Sequence, residues 1–208
     1  MKILELFSGK ESFSNVARLR GHECFTVDIE KTFNPSLCKD INELQLNDIP
    51  FKPDIIWASP PCQKFSVASL RWHWKDKKPR HNGTYESLLL VAKTISLILS
   101  LNPKFWFIEN PRGMLRKQPM MINLKRNTLT YCQYGDFRQK PTDIWNNCVA
   151  WKSRKTCSPG SPCHESAKRG ADKGSQSIGG GGKFGSVDRS KIPKELCLEI
   201  IKACEEEK

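Results

Sequence analysis

Four short apolar runs, each stopped by a polar or rigid turn, constrain this chain more than any other feature. They are KILELF at 2–7, ECFTVDI ending on Asp28, DIIWA before Pro60-Pro61, and KFWFIEN at 104–110. Runs of this length with no polar face suit strands covered on both sides. Between the first two lies ESFSNVARLR, whose Phe13, Val16, Ala17 and Leu19 repeat at helical spacing until Gly21 ends the period. Between the last two, ESLLLVAKTISLILSL at 86–101 reads as a largely buried helix stopped by Asn102-Pro103. A further strand is predicted at TLTYCQYG, 128–135. Strand alternating with helix gives an α/β fold with a doubly wound, mostly parallel sheet.

A parallel sheet gathers its strand ends along one edge, where ligands bind. Here that edge would carry Phe7-Ser8-Gly9, Asp28, Pro61-Cys62 and Glu109-Asn110. The first two ends suit a nucleotide: glycine lets backbone come close, and an acid some twenty residues on can take ribose hydroxyls. The loop Gly9-Lys10-Glu11-Ser12 lacks the dinucleotide glycine pattern, and a pyrophosphate would sit badly beside Glu11. A nucleoside with a zwitterionic tail fits better, which favours S-adenosylmethionine over NAD. The other two ends suit covalent base chemistry. Two prolines cannot extend a ladder, so they set Cys62 on a stiff corner. Read alone, Cys62 is as well explained by packing at a strand end. Paired with Glu109, it could add to C6 of a cytosine while the carboxyl group holds N3. Within a duplex, that base must first be flipped out.

Charge points the same way. Lys and Arg number 34 against 22 Asp and Glu, a net charge of +12. The excess falls in three blocks after the presumed active edge: six Lys/Arg at 64–81, seven at 111–140 and six at 151–175. Positive charge around one cleft suits phosphate contacts and a double-stranded DNA partner. Trp72 and Trp74 could stack on bases or fill space. No apolar stretch is expected to cross a membrane, and MKILELFSGK is no signal peptide. Nine cysteines without a secretory signal suggest a reducing, cytoplasmic setting.

The texture changes near 146. Residues 147–187 hold turn formers, a four-glycine run and little apolar periodicity, so they cannot build a core alone. The expected organisation is a catalytic and cofactor-binding core at 1–146, a loop-rich recognition or metal segment at 147–187, and a C-terminal helix at 188–208. Cys148, Cys157, Cys163 and His164 offer thiolates and an imidazole suited to zinc, which would order such a segment. The alternative is reduced, unpaired thiols. Cys24, Cys38, Cys197 and Cys204 read as packing residues. From Pro193, Leu196, Ile200 and Cys204 share one helical face.

LELFSG, VDIE, DIIWASPPCQKFS and FIENPRG resemble, in order and spacing, successive motifs of the DNA cytosine-5 methyltransferases. YCQYGDFRQKPTDIWNN and RSKIPKEL resemble later motifs of short phage- and prophage-type members. The likeness covers roughly 1–146 and 188–201. It implies a Rossmann-like, S-adenosylmethionine-dependent methyltransferase fold acting on DNA, in the host cytoplasm if phage-encoded, and a monomer is favoured. Carried over residue by residue, Cys62 is the nucleophile, Glu109 the N3 partner and Asn110 a brace for the loop. Phe7, Ser8, Gly9, Asp28, Ile29, Asp40 and Pro60 would line the cofactor site. Gln63, Lys64, Ser66, Arg71, Lys75 and Arg112 would meet nucleic acid, with Lys64, Ser66, Arg71 and Lys75 on a mobile catalytic loop at 64–81.

Three positions depart from the family pattern. Pro111 follows Glu109-Asn110, and the arginine that holds cytosine O2 becomes a choice between Arg138 and Lys140, with Arg138 preferred. The late Gly-Asn motif is replaced by Arg189-Ser190-Lys191-Ile192-Pro193. Lys10 or Lys191 would suit a donor with an extra carboxylate. Methylation of tRNA, and a non-catalytic DNA-binding protein on the same fold, are the competing readings.

Overall fold

A strand with no polar residue has no face to give to water, and Ile55–Ala58 is buried at all four positions. It forms the centre of the sheet. The computed structural model describes residues 1–165 and 190–207. Its elements begin with β1 (Lys2–Leu6), α1 (Ser12–Leu19), β2 (Glu23–Asp28), β3 (Leu37–Cys38) and β4 (Ile55–Ala58). There follow α2 (Leu70–His73), a small hairpin of β5 (Trp74–Lys75) and β6 (Lys78–Pro79), and α3 (Asn82–Leu101). The chain continues through β7 (Phe105–Pro111), α4 (Pro119–Ile122), β8 (Arg126–Thr130), β9 (Pro141–Asn146) and α5 (Lys194–Glu206).

The seven-stranded sheet has the order β3-β2-β1-β4-β7-β9-β8. The first five strands are parallel, and β9 runs antiparallel to both β7 and β8. The chain winds outward from β1 to β3, then returns to the other side of β1 as β4. This reversal puts the topological switch point between β1 and β4, directly before Cys62.

Side-chain alternation divides the apolar residues between two layers. Ile3, Ile55, Trp57, Phe105 and Phe107 face α1 and α5, meeting Phe13, Val16, Leu196 and Ile200. Phe13 stacks on Trp57 with centroids 4.6 Å apart. Leu4, Leu6, Ile56, Ala58 and Ile108 face the opposite way, towards Val91, Leu97 and Ile98 of α3. By length and composition α3 could cross a membrane, contrary to the expectation that no stretch is long enough. Here it covers the sheet through those apolar residues and the buried Thr84 and Thr94.

Several expectations need correcting. The strand expected at 128–135 ends at Thr130, and Tyr131–Tyr134 form a 3-10 turn closed by Gly135 at φ 82°. A strand would send residues three apart to opposite faces, whereas Tyr131 and Tyr134 are both buried in the same core. β9 was not anticipated. Residues 64–81 are not a bare loop, because Phe65 packs on Trp74 at 5.9 Å and Trp74 Nε1 donates to Lys64 O at 2.6 Å. Trp74 therefore fills space, while Trp72 is 60% exposed with Arg71 over its ring. Cys38 is exposed and is not a packing residue; Cys24 is half-buried, and Cys197 and Cys204 are buried. The start of the loop-rich segment joins the core through Cys148 and Trp151. Residues 166–187, the rest of that segment, lie outside the described residues.

Candidate active site

The site begins where β1 ends. Phe7 takes a left-handed φ of 57°, a conformation that costs an aromatic residue about 1–3 kcal/mol and persists only where neighbours hold it. The Ser8 amide does so by donating to Val27 O at 3.2 Å. The Ser8 hydroxyl is buried and has no hydrogen-bond partner among the described residues. Gly9 follows at φ 47°, with open space where a side chain would stand. Asp28 closes this loop: one carboxylate oxygen accepts from Gly9 N at 2.8 Å and the other from Glu30 N at 2.9 Å.

The second wall is the turn after β4. Cys62 O accepts from both Phe65 N and Ser66 N at 3.0 Å, so the cysteine starts a tight turn. Asn110 is fully buried, and its Nδ2 donates to Pro60 O at 2.9 Å, tying that turn to β7. Gly113 secures the same turn further along. Met114 N donates to Phe65 O at 2.8 Å, and a Cβ on Gly113 would lie 2.0 Å from that oxygen. Only glycine allows this approach.

The third wall comes from β7 and the loop entering β9. Glu109 is 5% exposed, and its Oε1 accepts from the Tyr131 hydroxyl at 2.8 Å. Burial and the neighbouring Glu109 hold the Tyr131 phenol well above its usual range, so it remains a donor. Lys140 Nζ lies 3.8 Å from the same Glu109 oxygen and 4.4 Å over the Tyr131 ring. Arg138 turns its guanidinium onto the Asp136 carboxylate.

These walls enclose a cavity of about 670 Å³. Phe7, Ser8, Gly9, Pro60, Cys62, Gln63, Ser66, Glu109, Arg138 and Lys140 all line it. Ser190 and Ile192, just before α5, also line it. Asn110 acts from behind the wall. Asp28, Ile29 and Asp40 are not on the cavity surface. Ile29 is 68% exposed, and Asp40 accepts from Asn42 N at 2.8 Å. Glu11 also points elsewhere, to Arg18 and to Thr26 Oγ1 at 2.7 Å, and does not line the cavity. Arg71, Lys75 and Arg112 are exposed beyond the rim, and Lys64 is half-buried.

Sequence reasoning overlooked Glu5 and Tyr131. Glu5 is buried at the cavity floor and caps α1, accepting from Phe13 N at 3.3 Å and Ser14 N at 2.8 Å. Burial raises its carboxyl from the usual 4.5 to about 7. Its signal was a lone acid inside the apolar run ILELF. The proposed ligand set for zinc also changes. Cys148 is absent from it and packs beside Glu207, whose Oε2 lies 3.3 Å from the thiol. Cys132 takes its place: with Cys157, Cys163 and His164 it puts four ligand atoms within 4.8 Å of one another.

The unpartnered Ser8 hydroxyl and the open space at Gly9 fit a nucleoside cofactor entering over the end of β1. Entamoeba histolytica methyltransferase EhMeth has the same fold, with a TM-score of 0.54 at 17% identity over 74% of this chain and 55% of that one. Sheet, switch point and cavity define a Rossmann-like methyltransferase fold of the S-adenosylmethionine-dependent class. Residues 1–135 match the model of the family C-5 cytosine-specific DNA methylase, and the chain belongs to that family. A frog virus 3 protein described as "Probable DNA (cytosine-5)-methyltransferase" is 27% identical over 98% of this chain and its own full length. The Type II methyltransferase M.FnuDI of Fusobacterium nucleatum is 32% identical over 57% of this chain and 34% of its own. The chain thus spans all of the viral relative and about a third to a half of the other two.

Proposed function

We propose that this chain methylates C5 of cytosine in double-stranded DNA through a covalent adduct between Cys62 and C6. The observation that carries the reading is that Cys62 and Glu109 line one cavity while Asn110 locks their two strands together. Cytosine C5 is too weak a nucleophile to attack a methyl group directly. The Cys62 thiolate bonds to C6, and the C5–C6 π pair shifts into the ring. Once it has taken up a proton, the Glu109 carboxyl group donates to N3 and holds the charge that arrives there. Tyr131 donates to Oε1 and Lys140 stands 3.8 Å from it, which supports Oε2 as the oxygen that meets the base. C5 then forms its bond to the methyl carbon and passes its proton to solvent, and the returning electron pair expels the thiolate. S-adenosylmethionine would supply the electrophilic methyl group in this class, its S–CH3 bond breaking as the C5–CH3 bond forms and its sulfur leaving as a neutral thioether. Phe7, Ser8 and Gly9 would hold its nucleoside, and Asp28 orders that loop.

Of the two candidates for cytosine O2, the geometry favours Lys140, which stands beside Glu109, over Arg138, which is engaged with Asp136. The exposed cations at Arg71, Lys75 and Arg112 would contact phosphates. With so short a segment at 147–187 for reading bases, we expect a short or relaxed target sequence.

Methyl incorporation into duplex DNA and into tRNA, followed by bisulfite sequencing, tests the reading. Incorporation into DNA at cytosine C5 in short or variable contexts is expected. Incorporation into tRNA alone would overturn the substrate, and a fixed six-base site would overturn the specificity. No transfer to either, with salt-sensitive DNA binding retained, would favour a binding protein that has lost turnover.

A further inference from the structure

Behind the Arg138–Lys140 loop, the chain brings together side chains that the proposed chemistry does not use. Cys132 lies on the turn after β8, whereas Cys157, Cys163 and His164 come from the segment after β9. That segment runs back beside the sheet until Cys157 N donates to Thr130 Oγ1 at 3.1 Å, at the end of β8. The 24 intervening residues hid this pairing in the sequence.

We propose that Cys132, Cys157, Cys163 and His164 bind one structural zinc ion. In a tetrahedral site with ordinary zinc–ligand bonds, two sulfurs lie about 3.8 Å apart and a sulfur and a nitrogen about 3.5 Å. His164 Nδ1 is 3.6 Å from Cys157 Sγ and 3.5 Å from Cys163 Sγ. Cys163 Sγ is 3.6 Å from Cys132 Sγ, and Cys132 Sγ is 3.1 Å from Cys157 Sγ. Three of these four edges match the tetrahedron, and the fourth is too long for a disulfide bond. Adjacent Cys163 and His164 both reach the centre because a turn aims the two side chains inward.

The surroundings suit thiolates as well. Gln133 Nε2 lies 3.2 Å from Cys163 Sγ, and Gln139 Nε2 lies 3.4 Å from Cys157 Sγ. Donors aimed at sulfur steady a metal-bound thiolate. His164 is only 9% exposed, and the next residue, Glu165, donates its amide to Phe137 O at 2.9 Å. Zinc would thereby pin a segment with few apolar residues to the loop that carries Arg138 and Lys140. It supplies the order that hydrophobic burial cannot.

The assignment stands whether or not the chain methylates cytosine, and its test reads metal rather than turnover. The full chain is purified under reducing, zinc-replete conditions and its metal measured by plasma mass spectrometry. One zinc per chain is expected, released in step with mercurial titration of three thiols. Cys157→Ser and Cys163→Ser should lose the zinc, and Cys148→Ser and Cys38→Ser should keep it. Cobalt in its place should give the strong visible bands of a tetrahedral, sulfur-rich site. Metal-free wild type, zinc retained by Cys157→Ser, or a Cys132–Cys157 disulfide in the peptide map would each overturn the proposal. The mercurial titration needs no variant, so a substitution that fails to fold does not blunt the test.

Discussion

The parallel half of the sheet and its antiparallel edge share the apolar core but differ in how much polar pairing holds them. Strands β1, β4 and β7 are clamped between two apolar layers, and β4 has no polar residue at all. At the edge, β9 buries Asp143, which takes the Arg116 guanidinium and the Thr128 hydroxyl. Just beyond, Arg154 of the returning segment pairs with Glu195 and Glu199 of α5 at 2.9 and 3.0 Å. Both halves bury apolar residues, Leu129, Ile144 and Trp145 among those at the edge, but the edge adds these specific polar partners. The cavity lies where the two halves meet, taking Cys62 from the first and the Arg138–Lys140 loop from the second.

Gly113 ties the end of β7 to the Cys62 turn beside the cavity, so changing it should have the largest effect. An alanine there must displace Phe65 O and Ser66 Cα, and with them the Cys62 turn. A shift of about 1 Å at a reacting group can cost about a hundredfold in rate. Gly113→Ala should therefore lose methyl transfer by about that factor or more while still binding S-adenosylmethionine by calorimetry. An unchanged rate would mean that the turn does not depend on this contact.

Glu5 is a buried acid in the middle of β1, inside the parallel half. Its folded value, about 7, lies above its usual 4.5, so folding favours the protonated acid. That stabilisation is complete below about pH 4.5 and is lost as pH rises to about 7, amounting to at most about 3 kcal/mol. Melting temperature against pH should show a fall over that window, and Glu5→Gln should flatten it. A variant with the same slope as wild type would place the titration elsewhere.

Tyr131 marks where the edge reaches into the site. Removing its hydroxyl leaves a buried carboxylate oxygen without its nearest donor, at a cost of about 1–3 kcal/mol. Tyr131→Phe should lower kcat with little change in KM for DNA and shift the pH–rate profile. A change in stability alone would make Tyr131 a packing residue. Gly83, by contrast, lies in the first turn of α3 with nothing nearer than 4.0 Å to an added Cβ. Gly83→Ala should stabilise the fold by about 0.5 kcal/mol in denaturant melts and leave transfer unchanged.

The same division explains what could be read from sequence. β1, β4, β7 and their polar ends are local patterns, so the strands, Cys62, Glu109 and Asn110 were all visible in short stretches. β9 was not, because PTDIWN carries a buried Asp143 whose partners lie on other elements. Cys132 was missed for a similar reason: its neighbours come from residues 157–164, and Cys148, nearer to them in sequence, belongs beside α5. Tyr131 looked like a strand residue until the turn placed its hydroxyl on Glu109. Asp28 was legible as an acid at a strand end, but not that backbone amides would occupy both of its oxygens.

The central claim is that Cys62 bonds to cytosine C6. Duplex DNA carrying 5-fluorocytosine tests it most directly, because fluorine at C5 cannot leave as a proton does and elimination stalls after methyl transfer. With S-adenosylmethionine present, the account predicts a denaturation-resistant adduct, and peptide mass spectrometry should place the methylated base on Cys62 alone. Cys62→Ala should form none while keeping its fold. An adduct on any other cysteine, or full activity in the alanine variant, would contradict the mechanism.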